Sequence, residues 1–198
     1  MKLSGLTARG LSNIPEHLAT LGRVFYASDA DQNDVVTGQT SFANTTPTFL
    51  LDVPTGQTAI PLMVNLYQTG TVAGGAIDII LEIDNADRYN TGGTSETVLC
   101  SRTTGGDLGG TLPTGLALYS GATANAGYGI RLDAATIAQD VDPAVTETAQ
   151  RKYLWTPHAG LDYVVGPGAF AVYTYAGTTG PTWFWTIKFA VIPSDWLD

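Results

Sequence analysis

The clearest pattern of apolar and polar positions lies near the end of the chain. From Thr182 to Ile192, Trp183, Trp185, Ile187, Phe189 and Val191 fall on one side, and Phe184, Thr186, Lys188, Ala190 and Ile192 on the other. Side chains of a strand point alternately to opposite faces, so the first set predicts a large apolar face. Ala169 to Tyr175 has the same period, with Phe170, Val172 and Thr174 opposite Ala171, Tyr173 and Tyr175. Between them, Ala176-Gly177-Thr178-Thr179-Gly180-Pro181 predicts a turn, and the segment from Leu161 to Ile192 reads as two strands joined by it.

The same grammar runs back through the chain. Phe49–Val53 predicts a strand that ends at Pro54-Thr55-Gly56-Gln57. Ala59–Gln68 predicts the next, followed by a glycine-rich turn over 69–75. Ala76–Asp84 alternates cleanly, with Ile77, Ile79, Leu81 and Ile83 opposite Asp78, Ile80, Glu82 and Asp84. Further strands are expected over Thr94–Thr103, Leu116–Ser120, Tyr128–Leu132 and Tyr153–Trp155, while 134–149 reads as either a helical turn or a long loop. Short strands at regular spacing favour a sandwich over alternating strands and helices. The expected fold is all-β, a jelly-roll-like β-sandwich of about eight strands.

Residues 1–34 read differently, as an N-terminal arm with a short helix and a polar turn, ahead of a sandwich domain over 35–198. Asn13-Ile14-Pro15-Glu16 has the residues of a helix start, and Gly22 those of a helix stop. Two turns of helix are too short to stand alone in water, so this helix must pack on something.

Composition narrows the function classes. The net charge is −9, which disfavours binding to a phosphate backbone, so no nucleic-acid partner is expected. The charge is unevenly placed. Lys2, Arg9 and Arg23 against Glu16 leave the first 23 residues at +2, and the remaining chain carries −11. One cysteine, Cys100, excludes an internal disulfide and reads as a small buried hydrophobe. No apolar run approaches the length of a membrane helix, and the start lacks a secretory apolar segment, so a protein made in the cytoplasm and without a membrane partner is expected.

Motifs for chemistry are sparse. Asp29-Ala30-Asp31-Gln32-Asn33-Asp34 matches the first half of a calcium loop, but Asp34 stands where that loop needs glycine and Thr40 where it needs glutamate. It reads as a polar turn. Two separated histidines, His17 and His158, with one cysteine make a zinc site improbable, and there is no phosphate-binding glycine motif. No catalytic, cofactor or metal residue is assigned. Glu82 and Asp84, two apart on one strand, share a face and can place a nucleophile and its helper. Glu82-Ile83-Asp84 resembles the start of the active-site strand in laminarinase-like glycoside hydrolases. That family needs a further glutamate, where this chain has Ala86 and Asp87. The aromatics Tyr163, Tyr173, Tyr175, Trp183 and Trp185 have two readings, a sugar-stacking platform or a core with a subunit interface.

Taken over most of its length, the chain resembles the virion structural proteins of tailed bacteriophages, in particular the jelly-roll capsid decoration or cement proteins. The resemblance is carried by the arm Met1–Arg23, the Thr/Gly/Ala-rich strands of Pro47–Gln68 and the aromatic strand Trp183–Pro193. It implies a non-enzymatic protein on the outer surface of a capsid, often a homotrimer, whose partner is the major capsid protein. It also implies that the arm reaches neighbouring shell subunits, with Lys2, Leu3, Leu6, Arg9, Leu11, Ile14 and Leu18 as contacts. Tyr173, Tyr175, Trp183 and Trp185 are then expected in the core or the oligomer interface. Removal of residues 1–23 should leave a folded body. A glycan- or receptor-binding module of the virion is the alternative reading, and a hydrolase using Glu82 and Asp84 a third.

Overall fold

The computed structural model describes residues 14–29, 34–69, 76–102, 110–138, 151–158 and 160–197. Helix α1 covers Ile14–Thr20. Strands follow at Val24–Ser28 (β1), Val36–Thr37 (β2), Phe49–Val53 (β3), Gln57–Gln68 (β4), Ala76–Asp84 (β5), Tyr89–Thr91 (β6), Thr94–Ser95 (β7) and Val98–Cys100 (β8). The second half adds Ala117–Ser120 (β9), Thr123–Ala124 (β10), Ile130–Ala138 (β11), Lys152–Trp155 (β12), Val164–Val165 (β13), Gly168–Tyr175 (β14) and Thr182–Pro193 (β15), and a 3-10 turn at Ser194–Trp196.

The strands form two main antiparallel sheets. The first has the order β12-β4-β15-β1-β8, with β13 beside β4 and β2 beside β15; the second has the order β11-β5-β14-β3-β9-β7. Eight principal strands make the sandwich. In the first sheet they run β12-β4-β15-β1, and in the second β11-β5-β14-β3. Along the chain they change sheet at every step but one, from β5 to β11. This is jelly-roll order, with the first and last strands adjacent in one sheet. The expected all-β sandwich is therefore present.

The main core fills the space between the sheets. Phe49 and Leu51 from β3, Ile77, Ile79 and Leu81 from β5, and Phe170 and Val172 from β14 meet Val64 and Leu66 from β4 and the Trp183-to-Val191 face of β15. The alternation read from the sequence thus names the inner faces correctly. The outer faces are also covered, which alternation alone does not predict. Leu50, Ile80, Ala169, Ala171 and Tyr173 pack under β10 on the second sheet. Leu18 packs with Val24, Ile60, Leu62, Ala190 and Ile192 on the first. Runs such as Phe49-Leu50-Leu51 and Phe189-Ala190-Val191-Ile192 are apolar at successive positions because both faces are buried there.

Three expectations are corrected. The boundary at residue 34 is wrong, because β1 is a full member of the sandwich: it pairs with both β15 and β8. Its place directly after the helix stop hid it. The strands at 169–175 and 182–192 and the turn between them are as expected, but the two strands do not pair with each other. β14 pairs with β3 and β5, and β15 with β1, β2 and β4, so the turn between them crosses from one sheet to the other. Each buries its apolar face against the other's sheet rather than pairing edges. The segment 94–103 is not one strand, since β7 joins the second sheet and β8 the first. The short strand expected at 128–132 is instead β11, which extends through the ambiguous region to Ala138; residues 139–150 lie outside the described residues.

The helix stop at Gly22 is as expected. Gly22 has φ +72°, the left-handed region that glycine enters without a Cβ clash. Its N–H donates to Ala19 O at 3.0 Å and that of Arg23 to Leu18 O at 2.9 Å, the paired bonds of a Schellman cap. The cap turns the chain straight into β1. Leu18, 1% exposed, then seats on its own sheet.

Candidate functional site

β5 does carry Glu82 and Asp84 on one face, as their spacing requires. The face is not an open one. Glu82 is 6% exposed, with Arg131 Nη2 3.8 Å from its Oε1. Asp84 is held by Arg88, itself 3% exposed. Arg88 Nη1 donates to Asp84 Oδ2 at 2.8 Å, Nε to Asn125 O at 2.8 Å, and Nη2 to Asn44 O at 2.6 Å. The Tyr173 hydroxyl also donates to Asn44 O, at 3.1 Å. The Asp84 carboxylate receives the Ala86 N–H through its other oxygen, at 3.1 Å. Asp84 is thus the counter-charge of a buried guanidinium that fastens two loops to the second sheet.

One of those loops builds a cleft. Arg88 binds it at Asn125, and Asn44 Nδ2 donates to Gly127 O at 2.9 Å. Gly129 lies so close to β5 that a Cβ there would fall 2.3 Å from Ile83 O, so only glycine lets the loop settle on the strand. Tyr128, between the two glycines, is 84% exposed. Facing it across a cleft of about 400 Å³ is the segment Tyr163-Val164-Val165. Ile83, Asp84, Asn85 and Ile130 complete the lining. Tyr128, Ile130, Tyr163 and Val165 are all large apolar side chains left in solvent, gathered in one concave place.

No family model, curated protein or solved structure matches this chain. Its chemistry is therefore read from its own residues.

A second cavity, of about 330 Å³, is lined by Asp29, Asp34, Glu96 and Ser120 at the mouth of the sandwich. Asp29 Oδ2 accepts the Trp185 backbone N–H at 2.8 Å, and Glu96 accepts the Ser120 hydroxyl. Burial, reinforced by Glu96 and Asp34, pushes the Asp29 carboxyl up to about 6. Burial likewise raises Glu96. On β3, burial and the nearby Asp87 charge push Asp52 up to about 6. Among the described residues, no set of three or more His, Cys, Asp or Glu side chains is arranged to hold a metal ion.

These raised values give a pH dependence with a definite sign. Asp29 and Asp52 bind protons more tightly folded than unfolded, where the ordinary value is 3.8. Their contribution to stability is complete below the unfolded value and is lost as pH rises through the folded value near 6. The melting midpoint of Asp52→Asn should therefore fall less steeply than that of the parent over this window, as thermal melts at stepped pH would measure. Parallel profiles would show that Asp52 ionises without cost.

The residues singled out from sequence are scattered. Trp183, Trp185 and Tyr173 are buried, and Tyr175 is half-buried beside Phe42, so they belong to the core or its margin rather than to a sugar platform. Of that set, Tyr163 lines the cleft at Tyr128, and Trp185 lines another concavity with Tyr67 and Phe184. Lys2, Leu3, Leu6, Arg9 and Leu11 lie outside the described residues. Ile14 and Leu18 pack in their own domain, which corrects their assignment as partner contacts. Asp29 and Asp34 are brought to one cavity, while residues 30–33 of the half-matching calcium loop lie outside the described residues. Arg88 and Tyr128 were not expected. The Gly-Tyr-Gly run at 127–129 was the available signal for Tyr128; nothing local marks Arg88 as buried.

Proposed function

We propose that this chain is a non-enzymatic structural protein of a tailed-phage virion, a capsid decoration protein that sits on the outer surface of the shell and bridges major capsid subunits. The observation that supports it is the complete eight-strand jelly-roll order, the architecture implied by the resemblance to cement proteins. Such a body is a rigid knob with both sheet faces covered by its own segments. Of the acid pair that a hydrolase reading needs, Asp84 is paired with Arg88 at 2.8 Å, while Glu82 is buried with Arg131 3.8 Å from one oxygen and no hydrogen-bond partner on the other. Cementing by several copies, as a homotrimer, adds modest contacts through multivalency. Among the described residues no helix is long and apolar enough to cross a membrane.

A density gradient of the native source, with peptide mass spectrometry of the particle band, tests this reading. Co-migration at a copy number comparable to the shell protein is expected. Recovery only in soluble fractions would overturn it. The arm is tested separately, with the cut placed by the structure. Deleting residues 1–13 should leave melting unchanged and abolish particle binding. Deleting 1–23 removes Leu18 as well, uncovers Ile60 and Leu62, and should destabilise the body by about 2–5 kcal/mol, the cost of losing a buried leucine. Equal melting of the two truncations would show that α1 adds nothing to the fold.

A further inference from the structure

We infer that the cleft between Tyr128 and Tyr163 is a binding site for a neutral hexopyranoside. Its volume of about 400 Å³ falls in the range of small-ligand sites and is large enough for one or two sugar rings. The two rings differ in exposure, Tyr128 at 84% and Tyr163 at 37%, and both line the same concavity. A pyranose has an apolar C–H face that stacks on an aromatic ring and an equatorial rim of hydroxyls that need donors and acceptors. Tyr128 and Tyr163 offer the first. Asn85, exposed at the rim, offers an amide with both a donor and an acceptor.

The charge of the lining selects the ligand. Asp84 is the charged residue in it, and its carboxylate is already neutralised by Arg88. Among the described residues, no uncompensated anion lines the cleft to hold a cation, and no cation lines it to hold a sugar acid or phosphate. A body of net charge −9 further disfavours polyanions. A neutral, hydroxyl-rich ring with one apolar face matches what remains.

The site is also fixed before a ligand arrives. Tyr128 projects from a loop bound at Asn125 by Arg88 and at Gly127 by Asn44, with Gly129 pressed on β5. The opposite wall, Val164 and Val165, is hydrogen-bonded to Ala59 and Thr58 of β4. The backbone on either side of Tyr128 is thus held, so little loop freedom is lost on binding. The Arg88 cluster thereby has a role beyond stability, since it anchors the loop that carries the stacking ring.

Saturation-transfer NMR with the full-length chain and a panel of methyl hexopyranosides at millimolar concentration tests the assignment. Transfer to ring protons of at least one glycoside is expected. Tyr128→Ala, at an exposed position, should keep its melting midpoint and weaken binding about tenfold, the scale of one lost ring contact. Asn85→Ala should weaken it without altering which ring protons receive saturation. Silence from every neutral glycoside would overturn the inference. So would transfer that persists undiminished in Tyr128→Ala and Tyr163→Ala. So would sedimentation showing that Tyr128→Ala breaks a self-associated wild type that binds no sugar, because the cleft would then be a contact between copies. None of these results depends on particle binding, so the decoration reading stands or falls apart from them.

Discussion

Replacing Trp183 with alanine is expected to lower the unfolding free energy by about 3–5 kcal/mol, the cost of emptying a large aromatic site in a packed core. Trp183 is fully buried and starts the inner face of β15. Its Nε1 donates to Thr174 Oγ1 at 2.9 Å, and that hydroxyl pairs with Thr48 Oγ1 at 2.9 Å. The substitution therefore leaves a cavity and removes a donor from a buried hydroxyl pair. Trp183→Phe keeps most of the volume and loses the donor, so it should cost about 1–3 kcal/mol. Trp185→Ala should match the cavity cost, since Trp185 lies against Phe49 with ring centroids 4.7 Å apart. Denaturant titration measures all three. A midpoint for Trp183→Ala within error of the parent would mean that the two sheets close without it.

Arg88→Met should be comparably damaging, at about 3–5 kcal/mol, for an electrostatic reason. It strands the Asp84 carboxylate without its counter-charge, leaves Asn125 O without the donor aimed at it, and leaves Asn44 O with the Tyr173 hydroxyl alone of its two donors. Adding Asp84→Asn to Arg88→Met removes the unpaired charge and should recover part of the loss. A double-mutant cycle gives the coupling directly, and an additive cycle would refute the pairing. The two kinds of core failure should also look different. Trp183→Ala weakens the contact between sheets, whereas Arg88→Met frees the loops at 44 and 125 and with them the placement of Tyr128.

The chain carried its strands openly. Ala76–Asp84 and Phe49–Val53 were legible to the residue, because a face packed against another sheet must be apolar at every second position. The inner face of β15 was legible for the same reason. The helix stop at Gly22 was legible because few residues other than glycine accept a positive φ at a helix end.

Pairing was not legible, because periodicity states which side of a strand is buried and not which strand lies beside it. A turn between 176 and 181 looks alike whether it joins neighbours or crosses the sandwich, and only the closed core shows that β14 and β15 face each other. The split of 94–103 between two sheets is invisible for the same reason. β1 was missed because it follows directly on the helix stop at Gly22 and so reads as a continuation of the arm. The buried Arg88 and the cleft at Tyr128 depend on residues far apart in sequence, Asn44, Asp84, Asn125 and Tyr163, which converge only in the folded chain. The sequence by itself determined that this is an all-β body with one dominant aromatic strand. The tertiary structure decided which strands pair, that Asp84 is the counter-charge of a buried Arg88, and that Tyr128 and Tyr163 line one cleft, because those outcomes come from long-range packing that no local pattern encodes.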